Sequence, residues 1–373
     1  LVFGMTRTTA FGLYDHGVAG LLEKVTDHLA NPDPELPRQR FWTVRAAATI
    51  LATGALERSI AFENNDRPGV MTAAAARSYL NRYGILPGKK IVISTTNDSV
   101  YAAAAELATA GAEVIVADIR EETGVGLPDG VTVLNGAAPL RALGRSSVKG
   151  VDTAKHTNGS WVPVGKEACD LLLVSGGWSP VVNLSSHRGA KPVWNAEQAC
   201  FLPGITSEPI FHSGSSAGIW NREDCEVSGE RAARQAIGEN EKSLQPGGWK
   251  TPIRPLYEVR LPNHNTKAFV DFQHDVTGDD VRLAQQEGFV SVEHLKRYTT
   301  LGMATDQGKM GNVIGLALMA DALGKDIPDV GTTRFRPPYT PVAIGALAGR
   351  NVAAHFKPLR RTPLHDWNLR HGA

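Results

Sequence analysis

Two stretches of the 373-residue chain bring together residue types that could do chemistry. In the first, a short apolar strand Ile210–His212 runs into Gly214-Ser215-Ser216-Ala217-Gly218. Small residues after a strand let backbone approach a phosphate or a ribose closely. A tight structural turn would have the same composition. In the second, Lys296, Arg297, Thr299, Thr300, Thr305, Asp306, Gln307 and Lys309 are broken by Gly302 and Gly308. Such a loop offers cations and hydroxyls to a phosphate, or is simply solvated. A third stretch is informative by what it lacks. A strand over 89–94 and a helix over 99–110 are joined by Thr-Thr-Asn-Asp-Ser, where a dinucleotide fingerprint requires G-x-G-x-x-G. Thr95, Asn97 and Ser99 could bind one anion there, but a dinucleotide would meet side chains where it needs bare backbone. Asp118, at the ribose position, then reads as a solvated strand end. No Ser/His/Asp set, carboxylate pair or metal cluster stands out. The histidines, among them His16, His156, His187, His264 and His294, are scattered. No catalytic residue and no metal ligand is assigned.

The elements that position these stretches follow from periodicity and punctuation. Residues 49–71 read as a crossover between two α/β layers, with a strand breaking at Thr53-Gly54, a charged pair Glu57-Arg58, and a turn at Pro68-Gly69. Leu21, Leu22, Val25 and Leu29 fall on one face of a helix or loop. An alanine-rich helix over 71–83 stops at Gly84. The strand 89–94, helix 99–110 and strand 113–117 make one βαβ unit. Strands follow at 131–134, 161–164 and 169–175, the last ending in Gly176-Gly177. Thr277 and Ser291 cap two helices, a third covers 313–323, and Pro337 to Pro341 is rigid and extended.

Net charge is +1, so no global field favours nucleic acid or an anionic membrane, and neither is expected as a partner. No run approaches 18 apolar residues. The start lacks an initiator Met and a signal-peptide shape, and the chain reads as a fragment open at both ends. Cys169, Cys200 and Cys225 have no C-x-x-C spacing and read as reduced thiols of a cytoplasmic protein. The expected fold is α/β, of the type with two dinucleotide-binding domains found in glutathione and thioredoxin reductases. The first domain is truncated and a small, mainly helical module follows. The expected division is 1–70, part of the first domain; 71–175, an inserted second domain; 176–240, a return to the first; 241–265, a linker; 266–350, the helical module; and 351–373, the start of another domain.

Six motifs in order, LATGALERSIAFENNDRPGVM, RYGILPGKKIVISTTNDSVYAAA, LLLVSGGWSPVVNL, AFVDFQHDVTGDDV, EHLKRYTTLGMATDQGK and FRPPYTPVAIGALAGR, resemble the alpha subunits of heterotetrameric sarcosine oxidase. The ending, FKPLRRTPLHDWN, is similar to the start of that family's folate-binding, aminomethyltransferase-like domain. The resemblance implies a complex that demethylates sarcosine oxidatively to glycine, reduces oxygen to peroxide and passes the one-carbon unit to tetrahydrofolate. It implies amine oxidation at FAD in a beta subunit, FMN between alpha and beta, NAD in the alpha subunit, and smaller gamma and delta subunits. It places Ala10 where backbone meets adenine, and Ser215, Gly218 and Trp220 at cofactor-facing positions, with Arg222 as a further NAD contact. Where relatives show Gly-Ala-Ala-Asn-Gly, this chain has Gly-Ser-Ser-Ala-Gly and then a bulky Trp220. NAD binding is expected of the full-length protein rather than of this length of chain alone. Lys296, Thr299, Thr300, Gln307 and Lys309 are the candidates for FMN or interface contact. The helical module resembles one that elsewhere holds an iron–sulfur cluster, but no cysteine follows Cys225, so four thiolates are not available. Two other readings stand beside this one: a related amine or opine dehydrogenase subunit, and a non-catalytic cofactor-binding scaffold.

Overall fold

A computed structural model describes residues 2–126, 128–247, 249, 251–261, 267–349 and 359–372. Parts of the expected linker (248, 250 and 262–265) and of the expected terminal domain (351–358 and 373) lie outside the described residues. The chain divides into two units, one of residues 1–47 and 337–373 and one of residues 48–336.

The smaller unit carries an antiparallel sheet of β1 (Thr8–Tyr14), β2 (Val18–Lys24) and β3 (Gln39–Arg45). Short helices span Ile344–Ala348 and His365–His371. The segment of Leu21 to Leu29, expected as a helix or a loop, is strand as far as Lys24. The reason is the turn before it: His16 and Gly17 both take left-handed backbone (φ 63° and 69°), reversing the chain after β1 into a hairpin. Phe11 fills the space above Gly20, where a Cβ would come within 2.5 Å of its ring.

The larger unit begins with β4 (Thr49–Leu51), β5 (Ala55–Glu57) and β6 (Val70–Thr72), followed by helix α1 (Ala73–Tyr83). Thr72 caps α1, and Gly84, left-handed at φ 66°, ends it. Next come β7 (Lys90–Thr95), α2 (Val100–Thr109), β8 (Glu113–Asp118) and β9 (Val131–Asn135). A three-stranded antiparallel sheet follows, of β10 (Ala138–Leu143), β11 (Gly150–Thr157) and β12 (Ser160–Glu167). The chain then re-enters the first sheet as β13 (Leu171–Ser175), giving the parallel order β6-β13-β7-β8-β9. A parallel sheet covered on both faces needs apolar strands throughout, and Ile91, Val92, Ile93 and Leu171 to Val174 are all buried. Alanines of α1 and α2 cover one face; Leu140, Ala142, Val151 and Ala154 of the antiparallel sheet cover the other.

The return consists of β14 (Trp178–Pro180), a short helix α3 (Asn183–Ser186), a hairpin of β15 (Val193–Asn195) and β16 (Cys200–Leu202), β17 (Ile210–His212) and α4 (Arg222–Ala236). β14 pairs with β5, and β17 pairs in parallel with β4, so the chain crosses twice between layers, at 57–70 and at 175–178. The helical module opens with β18 (Phe269–Asp271) and β19 (Val276–Thr277). Helices α5 (Gly278–Gln286), α6 (Val292–Thr299), α7 (Asn312–Leu323) and α8 (Ile327–Val330) follow. Thr277 and Asp280 form a reciprocal capping box on α5. Val281, Leu295, Leu301, Ile314 and Met319 form the module's core. The architecture is α/β: a five-stranded parallel sheet between helices and an antiparallel sheet, a second set of paired strands to which the chain returns, and a small helical module.

Candidate functional site

Arg58 holds the crossovers together. Its guanidinium, on a residue 1% exposed, donates to the carbonyl oxygens of Trp178 (2.9 Å), Ala199 (2.8 Å) and Gly176 (3.4 Å) and to Ser179 Oγ (3.2 Å). Gly177 is required beside it: its φ is 111°, and a Cβ would lie 2.4 Å from Arg58 Nη2. The neighbouring Glu57 is also buried and accepts from the N–H of Ala74 (2.6 Å), in the first turn of α1. Burial pushes its carboxyl up to about 7, against the opposing hydrogen bond from Ala74.

The turn of the βαβ unit is filled by the chain's own side chains. Thr95 and Asn97 are buried, and Asn97 Oδ1 accepts from Ser99 N (3.0 Å) and Ser99 Oγ (2.6 Å). Trp178 Nε1 donates to Ser99 Oγ at 2.9 Å. Asp118 is fully buried, not a solvated strand end. It accepts from Arg120 through Nε (3.0 Å) and Nη2 (2.8 Å), and from Tyr101 OH (2.9 Å). Arg120 also pairs with Asp98 at 2.7 Å. The strand end reads as solvated because Arg120, two residues on, gives no sign in the sequence of folding back over it. The acid that would take a ribose hydroxyl is committed to this ion pair.

The glycine-rich return is positioned by β17 on β4. Ser216 Oγ donates to Leu51 O (2.7 Å), and the Ser213 and Gly214 amides bond Leu51 O and Ser228 Oγ. Ser215 Oγ lies 3.9 Å from a Cβ built on Gly54, so the Thr53-Gly54 turn and the 214–218 turn face each other. Ser215 is half-buried and its hydroxyl makes no hydrogen bond among the described residues, which fits a nucleotide-facing group. Gly218 is left-handed (φ 77°), and its Cα is turned to protein: a Cβ would meet Leu202 at 2.5 Å and Gln198 at 2.9 Å. Trp220 is bonded to Gln198 Oε1 (3.1 Å) and stacked on Trp249, with centroids 5.1 Å apart and 12° between planes. Arg222 is 87% exposed and pairs with Glu226. Ala10 belongs to the smaller unit, exposed on β1 beside a bulge. His212 contacts Ser185 Oγ at 2.8 Å, and burial pushes it down to about 4, so it is neutral.

The loop after α6 is built from left-handed residues: Thr300 (φ 65°), Gly302 (67°), Gln307 (53°) and Gly308 (71°). Asn312 Oδ1 explains the glycines, since a Cβ on Gly302 or Gly308 would come within 2.3 Å and 2.0 Å of it. Thr299 Oγ1 bonds Leu295 O (2.8 Å), and Gln307 clamps the Arg336 backbone through both ends of its amide (2.7 and 2.8 Å), so these two side chains serve the fold. Lys296 and Lys309 are the half-buried cations. Burial pushes both ammonium groups below their ordinary range, helped at Lys296 by Arg336 and Arg297 against Glu293. Lys309 borders a cavity of about 70 Å³ at the amino end of α7. An open groove of about 830 Å³ nearby is lined by Lys191, Ser291, Glu293, Arg334 and Arg336. Sequence reasoning missed Asn183, which lines the cavity, and the two arginines; Asn183 and Arg336 fall within motifs noted only for their family likeness, and Arg334 lies just before one.

No group of three or more potential metal ligands occurs among the described residues. Burial pushes Cys169 and Cys200 up to about 12, so they are unreactive thiols. Among the described residues no helix is long and apolar enough to cross a membrane.

Residues 265–350 match the sarcosine oxidase A3 domain. The chain is 42% identical over 379 residues to sarcosine oxidase subunit alpha of Rhizobium meliloti (strain 1021), covering 99% of this chain and 38% of that one. It is 38% identical over 396 residues to the alpha subunit of Corynebacterium sp. (strain P-1), covering 99% of this chain and 40% of that one. Among solved structures, L-proline dehydrogenase from P. horikoshii matches with a TM-score of 0.68 at 20% identity, covering 92% of this chain and 64% of that one; it is alike in fold. The chain thus belongs to the sarcosine oxidase alpha-subunit family, spanning about 40% of the length of these curated relatives.

Proposed function

We propose that this chain is the central part of the alpha subunit of a sarcosine-oxidising complex, an oxidoreductase acting on a CH–NH donor. The complex converts sarcosine to glycine, reduces oxygen to peroxide and hands the one-carbon unit to tetrahydrofolate. The observation that carries this reading is the 42% identity over 99% of the chain. Its share of the work is to hold cofactors and partners. Amine oxidation belongs to a beta subunit carrying FAD and FMN, gamma and delta subunits complete the assembly, and the folate domain lies further along the alpha chain. The protein works in the cytoplasm.

NAD is held at the facing turns around Gly54 and Ser215. Ser215 supplies a hydroxyl for a phosphate or ribose, while Gly218 and Trp220 shape the wall behind it rather than touching the ligand. Arg222 adds a nucleotide contact in the full-length protein. FMN sits against the loop between α6 and α7. Lys296 and Lys309 offer charge to its anionic parts, the Thr300 hydroxyl offers it a hydrogen bond, and Thr299 and Gln307 hold the loop in shape at the beta-subunit interface. When bound, a flavin there relays electrons to oxygen.

Lys309→Met and Thr300→Gly in the full-length assembled complex test this. The glycine variant removes the hydroxyl while relieving a left-handed β-branched residue, so the loop keeps its fold. Each variant is expected to lower FMN per complex while FAD per complex stays constant. Unchanged FMN in both rejects the assignment of this loop. Sarcosine oxidation by the alpha subunit without any partner rejects the division of labour.

A further inference from the structure

Residues 251–259 fall in the expected linker, yet they are bonded along their length to the rest of the larger unit. Their carboxyl half is anchored. Leu256 and Val259 are buried in the core of the parallel sheet, Tyr257 O accepts from Ala61 N (2.9 Å), and Val259 N donates to Ala61 O (2.8 Å). Glu258 takes both Nη atoms of Arg282 in α5, at 2.8 and 3.0 Å. The amino half sits on polar groups. Thr251 N donates to Asp98 Oδ2 (3.0 Å), Arg254 N to Thr96 O (3.3 Å) and Arg254 Nη1 to Ile119 O (3.0 Å). Pro252, Arg254 and Pro255 are exposed there.

The place of these contacts matters. Thr96 and Asp98 lie in the turn after β7, and Ile119 directly follows β8. In open α/β sheets ligands bind just outside the carboxyl ends of the strands. The groups met here, Thr96 O, Ile119 O and Asp98 Oδ2, are all acceptors. They suit N–H donors and a guanidinium, and they oppose a pyrophosphate, which is an acceptor itself. Asp98 and Asp118 share the single guanidinium of Arg120, and Arg254 brings a second cation to this edge. Gly124, in the loop after β8, leaves room for the segment: a Cβ there would come within 3.3 Å of Thr251 Oγ1. The sequence prepares the fit. Pro252 and Pro255 fix their own φ and hold Thr251 and Arg254 extended. These two residues are spaced by three, the repeat of a polyproline helix, so their amides turn to the same side. A segment stiffened in this way loses less entropy on docking.

We propose that residues 251–255 are a proline-stiffened latch that closes the crevice at the carboxyl ends of β7 and β8, taking the place a dinucleotide would have there. The anchored half, 256–259, is its fixed end. The chain is thus its own ligand in this βαβ unit, and the unit serves as a dock rather than a nucleotide site. The assignment stands on these contacts and does not depend on the proposed oxidase activity.

The test is hydrogen–deuterium exchange, read by mass spectrometry, on the full-length assembled complex, unmodified and as Arg254→Ala. In the unmodified complex the amides at 251 and 254 are expected to exchange far more slowly than in an unfolded peptide. The substitution should speed exchange over 251–254 about fivefold, the loss of one hydrogen bond, and leave the Val259 amide unchanged. Unprotected amides at 251 and 254 in the unmodified complex overturn the proposal, as do equal rates in the two proteins. Acceleration that runs through Val259 to the same extent also overturns it, since the segment then opens as one piece with the core. A photoreactive azidoadenine analogue of NAD tests the closure on the unmodified complex, without relying on the variant's folding. Absence of label from peptides carrying 95–99 and 118–120 supports the latch, and label on either rejects it.

Discussion

Replacing Glu57 with Gln isolates one buried charge and gives its effect a sign. The carboxyl ionises near 4.5 when unfolded and near 7 in the fold, because burial disfavours the anion. Between those values the folded state binds more protons than the unfolded state, so this group lowers stability as pH rises. Above pH 7 its full penalty is present; below 4.5 it vanishes. A displacement of about 2.5 pH units corresponds to about 3 kcal/mol, of which roughly 2–3 kcal/mol develops between pH 5 and pH 8. Gln keeps an acceptor for the Ala74 N–H and cannot ionise, so Glu57→Gln should gain that amount on the parent protein between the two pH values. Urea unfolding of the purified full-length chain at pH 5 and pH 8, followed by far-ultraviolet circular dichroism, measures the gap directly. An equal gap at both values, within about 0.5 kcal/mol, would refute the argument that burial governs this carboxyl.

Arg58→Leu should cost at least about 3 kcal/mol in the same assay, since it strips donors from three backbone carbonyls without restoring water to them. Gly177→Ala should cost about 2 kcal/mol through left-handed backbone and collision with the same guanidinium. Asp118→Asn should cost about 3 kcal/mol by leaving Arg120 partly unpaired, and it should leave NAD affinity of the full-length complex unchanged, because this carboxylate is committed to Arg120; a loss of NAD binding would assign it to the cofactor. Ser215→Ala should weaken NAD binding to that complex about fivefold, the loss of one neutral hydrogen bond, as read by isothermal titration.

Local signals carried the sequence reading as far as elements whose causes are local. The strand, helix and strand from 89 to 118, the stop at Gly84 and the Thr277 cap all depend on neighbours within a few residues, and all are present. The failures have the opposite origin. β10 and β11 alternate too weakly to stand out, and they exist because their inner residues cover the parallel sheet. Leu21, Leu22, Val25 and Leu29 fit one face of a helix or loop, a spacing that the hairpin turn at His16-Gly17 overrides as far as Lys24.

Glycine positions, the polar loop and the family motifs are written in the order of the residues, and these alone determined the family likeness of the chain. Which side chains remain available to a ligand was decided only by tertiary structure. Arg58 reaches partners 118 to 141 positions away, and the Thr251 N–H meets Asp98 across 153. Asp118 is taken up by Arg120 and Tyr101, Gly218 faces Leu202 and Gln198, and Gln307 holds the Arg336 backbone, whereas Ser215 and Asn183 keep polar atoms unused. The physical reason is that buried polar groups must find hydrogen-bond partners, and only the folded chain determines whether another segment or a ligand supplies them.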